Sequence, residues 1–124
     1  MRLSEQEFRQ ITAGRKKGKA PGLKETDIQN AIREHLRWHG WFVIRHQQTL
    51  GSHKGLSDLT AIRNGVTVYI EVKKPTGKQS EDQQQFQADI ESHGGLYVLA
   101  KSVEDVEFLC RVKLEAKRDG VDNG

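Results

Sequence analysis

Two acidic residues and a lysine occupy positions that a single β-hairpin would bring together. Asp58 precedes a run of apolar and β-branched residues that leads to Asn64-Gly65. Glu71 and Lys73 lie at the end of the next such run. Asn-Gly between two such runs is the strongest short-range signal for a hairpin with a two-residue type I′ turn. In that register Asp58 lies opposite Glu71, with Cβ atoms about 5 Å apart, and Lys73 shares their face. The predicted hairpin therefore gathers two carboxylates and an ammonium group at one point.

Two carboxylates this close destabilise a hairpin unless something offsets their repulsion. At about 5 Å and an effective dielectric constant near 20, two like charges repel by about 3 kcal/mol. A divalent cation between them would reverse the sign of this energy, and hard oxygen ligands favour Mg²⁺ or Mn²⁺. The alternative is an ordinary amphipathic hairpin with a solvated polar face. In either case the opposite face is predicted to be core, with Val66, Val68, Ile70 and Val72.

Length and composition indicate one highly charged domain. The chain has 124 residues, of which 30% are charged and 35% hydrophobic, enough for a modest core. Its net charge of +3 permits nucleic acid as a partner without requiring it. No apolar run approaches the roughly 20 residues of a membrane span, so we expect a soluble, cytoplasmic protein with no membrane partner. The single Cys110 excludes an intramolecular disulfide and a cysteine-rich metal site, and it is interpreted as a small core residue.

The two ends of the chain are predicted to differ from its middle. Residues 1–22 are predicted as a short helix and a basic arm, residues 23–118 as the main domain, and residues 119–124 as a frayed tail. We expect basic residues of the arm and of the turn after the hairpin to contact phosphates, although a solvated loop is an equal alternative for the arm. These residues are Arg15, Lys16, Lys17 and Lys19 in the arm, and Lys74 and Lys78 in the turn.

An amphipathic helix is predicted over residues 25–39, because apolar residues recur at steps of three and four. Glu25 lies about one turn before this stripe, so its carboxylate would point inward and need a partner. The alternative is a capping box from Thr26 to Gln29, which would leave Glu25 outside the helix. We favour the inward acid because the hairpin offers a metal for it. His35 and His39 are spaced like zinc ligands, but no third ligand is evident, so packing or surface roles are favoured.

A strand, a helix and a strand follow one another from residue 66 to residue 100. Ser80 and Gln83 predict a capping box that opens a helix ending near residue 93. Gln83 falls on the apolar face of that helix, so it either points into the site or serves only as a cap. Residues 96–100 are predicted as a buried strand, parallel to the one before the helix. A last helix is predicted after residue 102.

These residues together resemble a known group of nucleases. Asp58 followed by Glu71-Val72-Lys73 resembles the D…ExK signature of the PD-(D/E)XK nuclease superfamily. The finer pattern resembles the VRR-NUC family, the virus-type replication-repair nucleases, over about residues 23 to 110. The pieces that match are Glu25, Gly55-Leu56-Ser57-Asp58, Glu71-Val72-Lys73, Gly77-Lys78-Gln79-Ser80, Gln83, Phe86 and Gly94-Gly95. Ser57 departs from the pattern, because the superfamily signature has proline before its first acid.

The resemblance implies an α/β fold, a restriction-endonuclease-like αβββαβ core whose central mixed sheet is flanked by helices. It also implies hydrolysis of phosphodiester bonds with Mg²⁺ or Mn²⁺, in a prokaryotic or virus-infected cell. Asp58, Glu71 and the backbone carbonyl of Val72 would be metal ligands, and Glu25 would complete the site directly or through water. Lys73 would activate the attacking water and stabilise charge on the phosphate. The remaining residue, Gln83, would position that water or a phosphate oxygen.

Three functions are compatible with this resemblance. Short family members that stand alone resemble homodimeric resolvases of four-way DNA junctions, and the length of the chain favours this reading. Members fused to other domains resemble monomeric flap, nick or single-strand nucleases. A nucleic-acid-binding module with a silent site is the alternative of another class. We expect a metal-dependent, structure-selective DNA endonuclease, acting on branched or Holliday-type junctions as a homodimer.

Overall fold

A computed structural model describes residues 24–111 of the chain and has the expected αβββαβ order. The predicted N-terminal helix, the basic-arm residues Arg15, Lys16, Lys17 and Lys19, and the predicted tail lie outside the described residues. Within residues 24–111, no helix is long and apolar enough to cross a membrane. The elements are α1 (Glu25–Trp38), β1 (Phe42–Arg45), β2 (Leu59–Arg63), β3 (Val66–Val72), α2 (Glu81–Ser92), β4 (Leu96–Ala100), a 3₁₀ turn (Val103–Val106) and α3 (Glu107–Arg111).

The four strands form one mixed sheet in the order β1-β2-β3-β4. β1 pairs with β2, and β2 with β3, in antiparallel fashion. β3 and β4 are parallel, as the strand–helix–strand pattern predicts, and α2 connects them. The fold is therefore a mixed α/β sheet flanked by helices, with the predicted hairpin at its centre.

The hairpin turn determines the register of β2 and β3. Asn64 and Gly65 have φ angles of 48° and 82°, and a type I′ turn requires positive φ at both central positions. Arg63 pairs with Val66, and Leu59 pairs with Ile70 at the other end of the ladder. The predicted register is confirmed along all five paired positions.

The core lies between the inner face of the hairpin and the helices. α1 contributes its apolar stripe, Ile28, Ile32 and Leu36, each no more than 3% exposed. The 3₁₀ turn and α3 contribute Val103, Val106 and Leu109 to the same cluster. The hairpin side chains that face it are Leu59, Ala61, Val68, Ile70 and Val72, all fully buried.

The prediction that residues 96–100 form a buried strand is wrong in one respect. β4 lies at the edge of the sheet, so Leu96 is 48% exposed and Ala100 is the only residue of the strand that is fully buried. β1 is the other edge strand, and it exposes Phe42 and Ile44 on the side away from Val43. An apolar run does not distinguish an edge strand from a central one.

Candidate active site

Asp58 and Glu71 meet at the open end of the hairpin. Asp58 directly precedes β2, and Glu71 follows Ile70, which pairs with Leu59, so the register sets the two acids opposite each other. The Asp58 carbonyl oxygen accepts a hydrogen bond from the His46 amide at 2.9 Å. Its Oδ2 accepts another from the Val72 amide at 2.8 Å. The His46 amide therefore holds the Asp58 backbone, and the Val72 amide holds the Asp58 side chain, at this point of the sheet.

The two carboxylate oxygens of Glu71 lie in different surroundings. The side chain is only 2% exposed. Oε2 accepts a hydrogen bond from Gln83 Nε2 at 2.9 Å and lies 3.6 Å from Lys73 Nζ. Oε1 is buried and has no hydrogen-bond partner among the described residues. A buried carboxylate oxygen that receives no hydrogen bond carries a large desolvation penalty. A proton shared with the facing Asp58 carboxyl group relieves this penalty in the metal-free protein, and a cation bound between the two carboxylates would take the place of that proton.

The surroundings disfavour the charged forms of both acids. Burial, and then the charge of Asp58, raise the pKa of Glu71 to about 8, although Lys73 opposes the shift. Burial also raises the pKa of Asp58; the hydrogen bond from Val72 opposes this rise and the charge of Glu25 adds to it. Without a cation, the pair therefore holds its protons more tightly than isolated carboxyl groups do. Perturbed acids of this kind cluster at functional sites.

Glu25 is the first residue of α1 and lies on the side of the helix that faces the acids. It is half-buried, and its charge contributes to the raised pKa of Asp58. The helix begins at Glu25 with Lys24 as its N-cap, and Lys24 makes no side-chain capping bond. The alternative capping box from Thr26 to Gln29 is therefore wrong, because Thr26 lies inside the helix, and Glu25 is close enough to Asp58 for its charge to act there.

Gln83 is both a helix cap and a neighbour of Glu71. Its Oε1 accepts a hydrogen bond from the Ser80 amide at 2.9 Å, and the Ser80 hydroxyl accepts one from the Gln83 amide at 3.1 Å. This is the predicted capping box. The Nε2 of Gln83 donates a hydrogen bond to Glu71. The Gln83 side chain therefore both caps the helix and points into the site, the two alternatives that the sequence left open.

Aromatic packing and a glycine contact hold α2 in place. Phe86 is 7% exposed and packs edge-to-face against Tyr69, with ring centroids 5.8 Å apart. Gly55, in the loop between β1 and β2, lies against the first turn of the helix. A Cβ atom there would be 2.0 Å from the Asp82 carbonyl oxygen, so no other residue fits without movement of the backbone. The loop thus abuts the turn that carries Gln83.

The predicted basic turn follows Lys73 and carries the chain from the site to the protein surface. The Lys73 amide donates to the Ala100 carbonyl at 3.0 Å, which continues the β3–β4 pairing by one residue. Lys74 and Lys78 are exposed, and Lys101 Nζ donates to the Pro75 carbonyl at 3.3 Å. Two lysines therefore project into solvent from an anchored turn that follows the acidic cluster.

Thr60 and His46 are neighbours of the site that were not predicted. Thr60 is 6% exposed and shares the hairpin face of the acids, two residues after Asp58. His46 Nε2 lies 2.6 Å from Thr60 Oγ1. The alternation of the hairpin is the sequence signal that could have placed Thr60 on this face, whereas only the pairing of β1 with β2 brings His46 to it. Ser57, at the position where the signature has proline, is fully buried, and its hydroxyl donates to the Leu59 carbonyl at 3.2 Å.

The residues of this site fit a hard divalent cation. Two carboxylates face each other, a third raises the pKa of Asp58, and no described residue donates a hydrogen bond to the buried Oε1 of Glu71. Oxygen donors in this number suit Mg²⁺ or Mn²⁺. The structure brings together five side chains of the predicted site, those of Asp58, Glu71, Glu25, Lys73 and Gln83. Their roles, and that of the Val72 carbonyl, remain predictions.

A mixed α/β sheet with acids at the open end of its central hairpin is typical of the PD-(D/E)XK nuclease class. The family model described as the VRR-NUC domain matches residues 3–104, and the chain belongs to this nuclease-type family. A solved structure described as "VRR_NUC domain" is 22% identical to this chain, with a TM-score of 0.58. The match covers 68% of this chain and 91% of the solved chain. A second solved structure, "VRR_NUC domain protein", is 20% identical, with a TM-score of 0.57. That match covers 72% of this chain and 86% of the solved chain. The search of curated proteins found no match.

Proposed function

We propose that this protein is a metal-dependent endonuclease that hydrolyses phosphodiester bonds in DNA, with Mg²⁺ or Mn²⁺ as its cofactor. The observation that carries the proposal is the pair of facing acids at the open end of the hairpin: Glu71 is buried, its neighbour across the hairpin is Asp58, and no described residue donates a hydrogen bond to its Oε1. The membership of a nuclease-type family supports the same chemistry.

The protein's own residues divide the work as follows. Asp58, Glu71 and the Val72 carbonyl would hold the cation, and Glu25, the third acid, would be a fourth contact, made directly or through water. Gln83 and Lys73 both interact with Oε2 of Glu71, so Oε1 would be the ligand atom. Lys73, whose Nζ lies 3.6 Å from Glu71 Oε2, would orient the attacking water or help to deprotonate it, and would stabilise negative charge on the phosphate. When bound, the cation would acidify that water and polarise the phosphate.

Cleavage assays with a charge-matched control test this proposal. Labelled junction, flap, nicked and plain duplex DNA are incubated with the protein in Mg²⁺ or Mn²⁺ and in EDTA. Asp58→Asn should lose at least a hundredfold in rate, while Glu34→Gln, which removes one exposed charge from α1, should cut as the parent does. Equal cutting by Asp58→Asn and the parent would refute the assigned chemistry.

The finer part of the proposal is a homodimer that resolves four-way junctions. A four-way junction requires two symmetrical nicks, which two sites related by a two-fold axis can supply. The edge strand β1 supports a self-association surface, because Phe42 is 65% exposed and Ile44 is 37% exposed there. Light scattering measures the oligomeric state, and Phe42→Lys with Ile44→Lys should convert a dimer into a monomer.

The same assays distinguish the other two functions. If the protein is a monomer that cuts flaps, nicks or single strands but leaves junctions intact, its function is that of an end-processing nuclease and not of a junction resolvase. Binding of DNA with a steep salt dependence, but with no cleavage and no heat of metal binding, would indicate a silent binding module.

A further inference from the structure

Two histidines and the cysteine meet on the opposite end of α1 from the acidic site. His35 lies in the last turn of α1, His39 is its C-cap, and Cys110 comes from α3. Their ligand atoms (two imidazole nitrogens and the thiol sulfur) all lie within 4.8 Å of one another. The sequence offered only the two histidines, because Cys110 is far away along the chain and reaches them through the packing of α3 near α1.

The hydrogen bond of His39 prepares its ring as a metal ligand. Nδ1 of His39 lies 2.9 Å from the His35 carbonyl oxygen. A carbonyl oxygen can only accept, so Nδ1 carries the proton and Nε2 holds the lone pair. A backbone carbonyl bonded to one ring nitrogen is the usual outer contact of a metal-binding histidine, since it fixes both the tautomer and the ring orientation.

The geometry and the donor types suit zinc. Tetrahedral Zn²⁺, with Zn–N near 2.0 Å and Zn–S near 2.3 Å, sets its ligand atoms roughly 3.3–3.7 Å apart. The separations of up to 4.8 Å therefore need a contraction of about one ångström. His39 is exposed, so its side chain can shift toward the other two ligands while Nδ1 keeps its bond to the His35 carbonyl. The carbonyl end of a helix also favours a cation.

We propose that His35, His39 and Cys110 bind a zinc ion that ties the C-terminal end of α1 to α3, with solvent as the fourth ligand. This site is separate from the acidic one, because His35 lies ten residues after Glu25 on the same helix, roughly 15 Å along its axis. Two imidazoles and a thiolate select a softer metal than the carboxylates do. The zinc would stabilise the fold, and the Mg²⁺-dependent chemistry would remain with Asp58 and Glu71.

Cobalt substitution tests the site without relying on activity. The chain has one cysteine, so a thiolate-to-cobalt charge-transfer band in the near ultraviolet reports Cys110 alone. The full-length metal-free protein should develop this band with one equivalent of Co²⁺ and lose it when Zn²⁺ is added. Zn²⁺ should also raise its melting temperature by several degrees. Binding should weaken below neutral pH, because the thiol and both imidazoles must be deprotonated.

Four variants separate this site from other sources of binding. Cys110→Ser should abolish the band, and His39→Ala should weaken cobalt binding at least tenfold. His93→Ala is the matched control, because His93 Nδ1 makes the same contact with the Asp89 carbonyl at a helix C-cap but has no place in the cluster. Asp58→Asn should keep the band, which distinguishes this site from the acidic one.

Two results would overturn the proposal. One is the absence of a band in the parent at excess Co²⁺. The other is an unchanged band in both His39→Ala and His35→Ala, since the thiol would then bind cobalt without the histidines. A melting temperature of metal-free Cys110→Ser near that of the metal-free parent shows that the loss of the band reflects a lost ligand and not a lost fold.

Discussion

Gln83 Nε2 donates a hydrogen bond to Glu71 Oε2 at 2.9 Å, while Oε1 of the same glutamine caps its own helix. The first turn of α2 is thereby connected to the acid at the end of β3. The position of one helix terminus therefore determines which oxygen of the buried carboxylate is engaged and which is left for a ligand.

Replacing Gln83 should separate its two roles. Glutamate also serves in a capping box, so Gln83→Glu should keep the cap but set a second carboxylate against Glu71. We expect cleavage to fall at least tenfold, and at pH 5, where Glu71 keeps its proton, we expect little change in melting temperature. Gln83→Ala should lose cleavage and also about 1 kcal/mol of stability, because the cap is broken. Gln85→Ala, an exposed residue of the same helix, is the control, and full activity in Gln83→Glu would contradict the interpretation.

The raised pKa of Glu71 should make the metal-free protein less stable at alkaline pH. Between the ordinary pKa of 4.5 and about 8, native Glu71 keeps a proton that the unfolded chain has released. The unfolding free energy contributed by this group therefore falls as the pH rises through that window. Denaturant titrations in EDTA from pH 5 to pH 9 measure this dependence.

Glu71→Gln should remove that part of the pH dependence. At pH 8 the metal-free variant should exceed the parent in unfolding free energy by about 1–3 kcal/mol, because a neutral amide replaces a buried acid. Glu34→Gln should keep the dependence of the parent. Mg²⁺ at pH 8 should stabilise the parent but not Glu71→Gln, and identical pH profiles of the two proteins would show that Glu71 titrates normally.

Gly55 should be far less tolerant of alanine than Gly65, although both have positive φ angles. Gly65 has open space around the added Cβ, so Gly65→Ala should cost about 1 kcal/mol from backbone strain alone. Gly55→Ala adds a collision with the Asp82 carbonyl and should cost about 3 kcal/mol or more. It should also slow cleavage, because the turn that carries Gln83 must move. Equal destabilisation of the two variants would show that the loop yields without moving α2.

Lys74 and Lys78 should contribute to DNA affinity through phosphate contacts. If each neutralises one phosphate of duplex DNA, the double alanine variant should reduce the slope of log K against log salt by about 1.8. Fluorescence anisotropy over a range of salt concentrations, in the Asp58→Asn background to prevent cleavage, measures this slope. Arg111→Ala, on α3 and paired with Glu107, is the control for loss of one positive charge. An unchanged slope in the double variant would place the DNA elsewhere.

Short-range chemistry in the sequence determined much of the fold and of the acidic site. Asn64-Gly65 strongly favours a type I′ turn, and that turn sets the register that opposes Asp58 and Glu71. Ser80 and Gln83 form the capping box that their spacing predicts. The apolar stripe of α1 is buried as its periodicity requires. Each of these signals acts over a few residues or across one hairpin, so a single stretch of sequence contains all of the information.

Tertiary packing decided what depends on elements that are distant along the chain. The exposure of β4 follows from its position at the edge of the sheet, which an apolar run does not encode. The unequal surroundings of the two Glu71 oxygens require α2 to lie over β3. The contact of Gly55 with α2 and the approach of Cys110 to His35 depend on how separate elements stack. Spacing in the sequence sets which residues share a face, but burial and contact are set by which element covers that face.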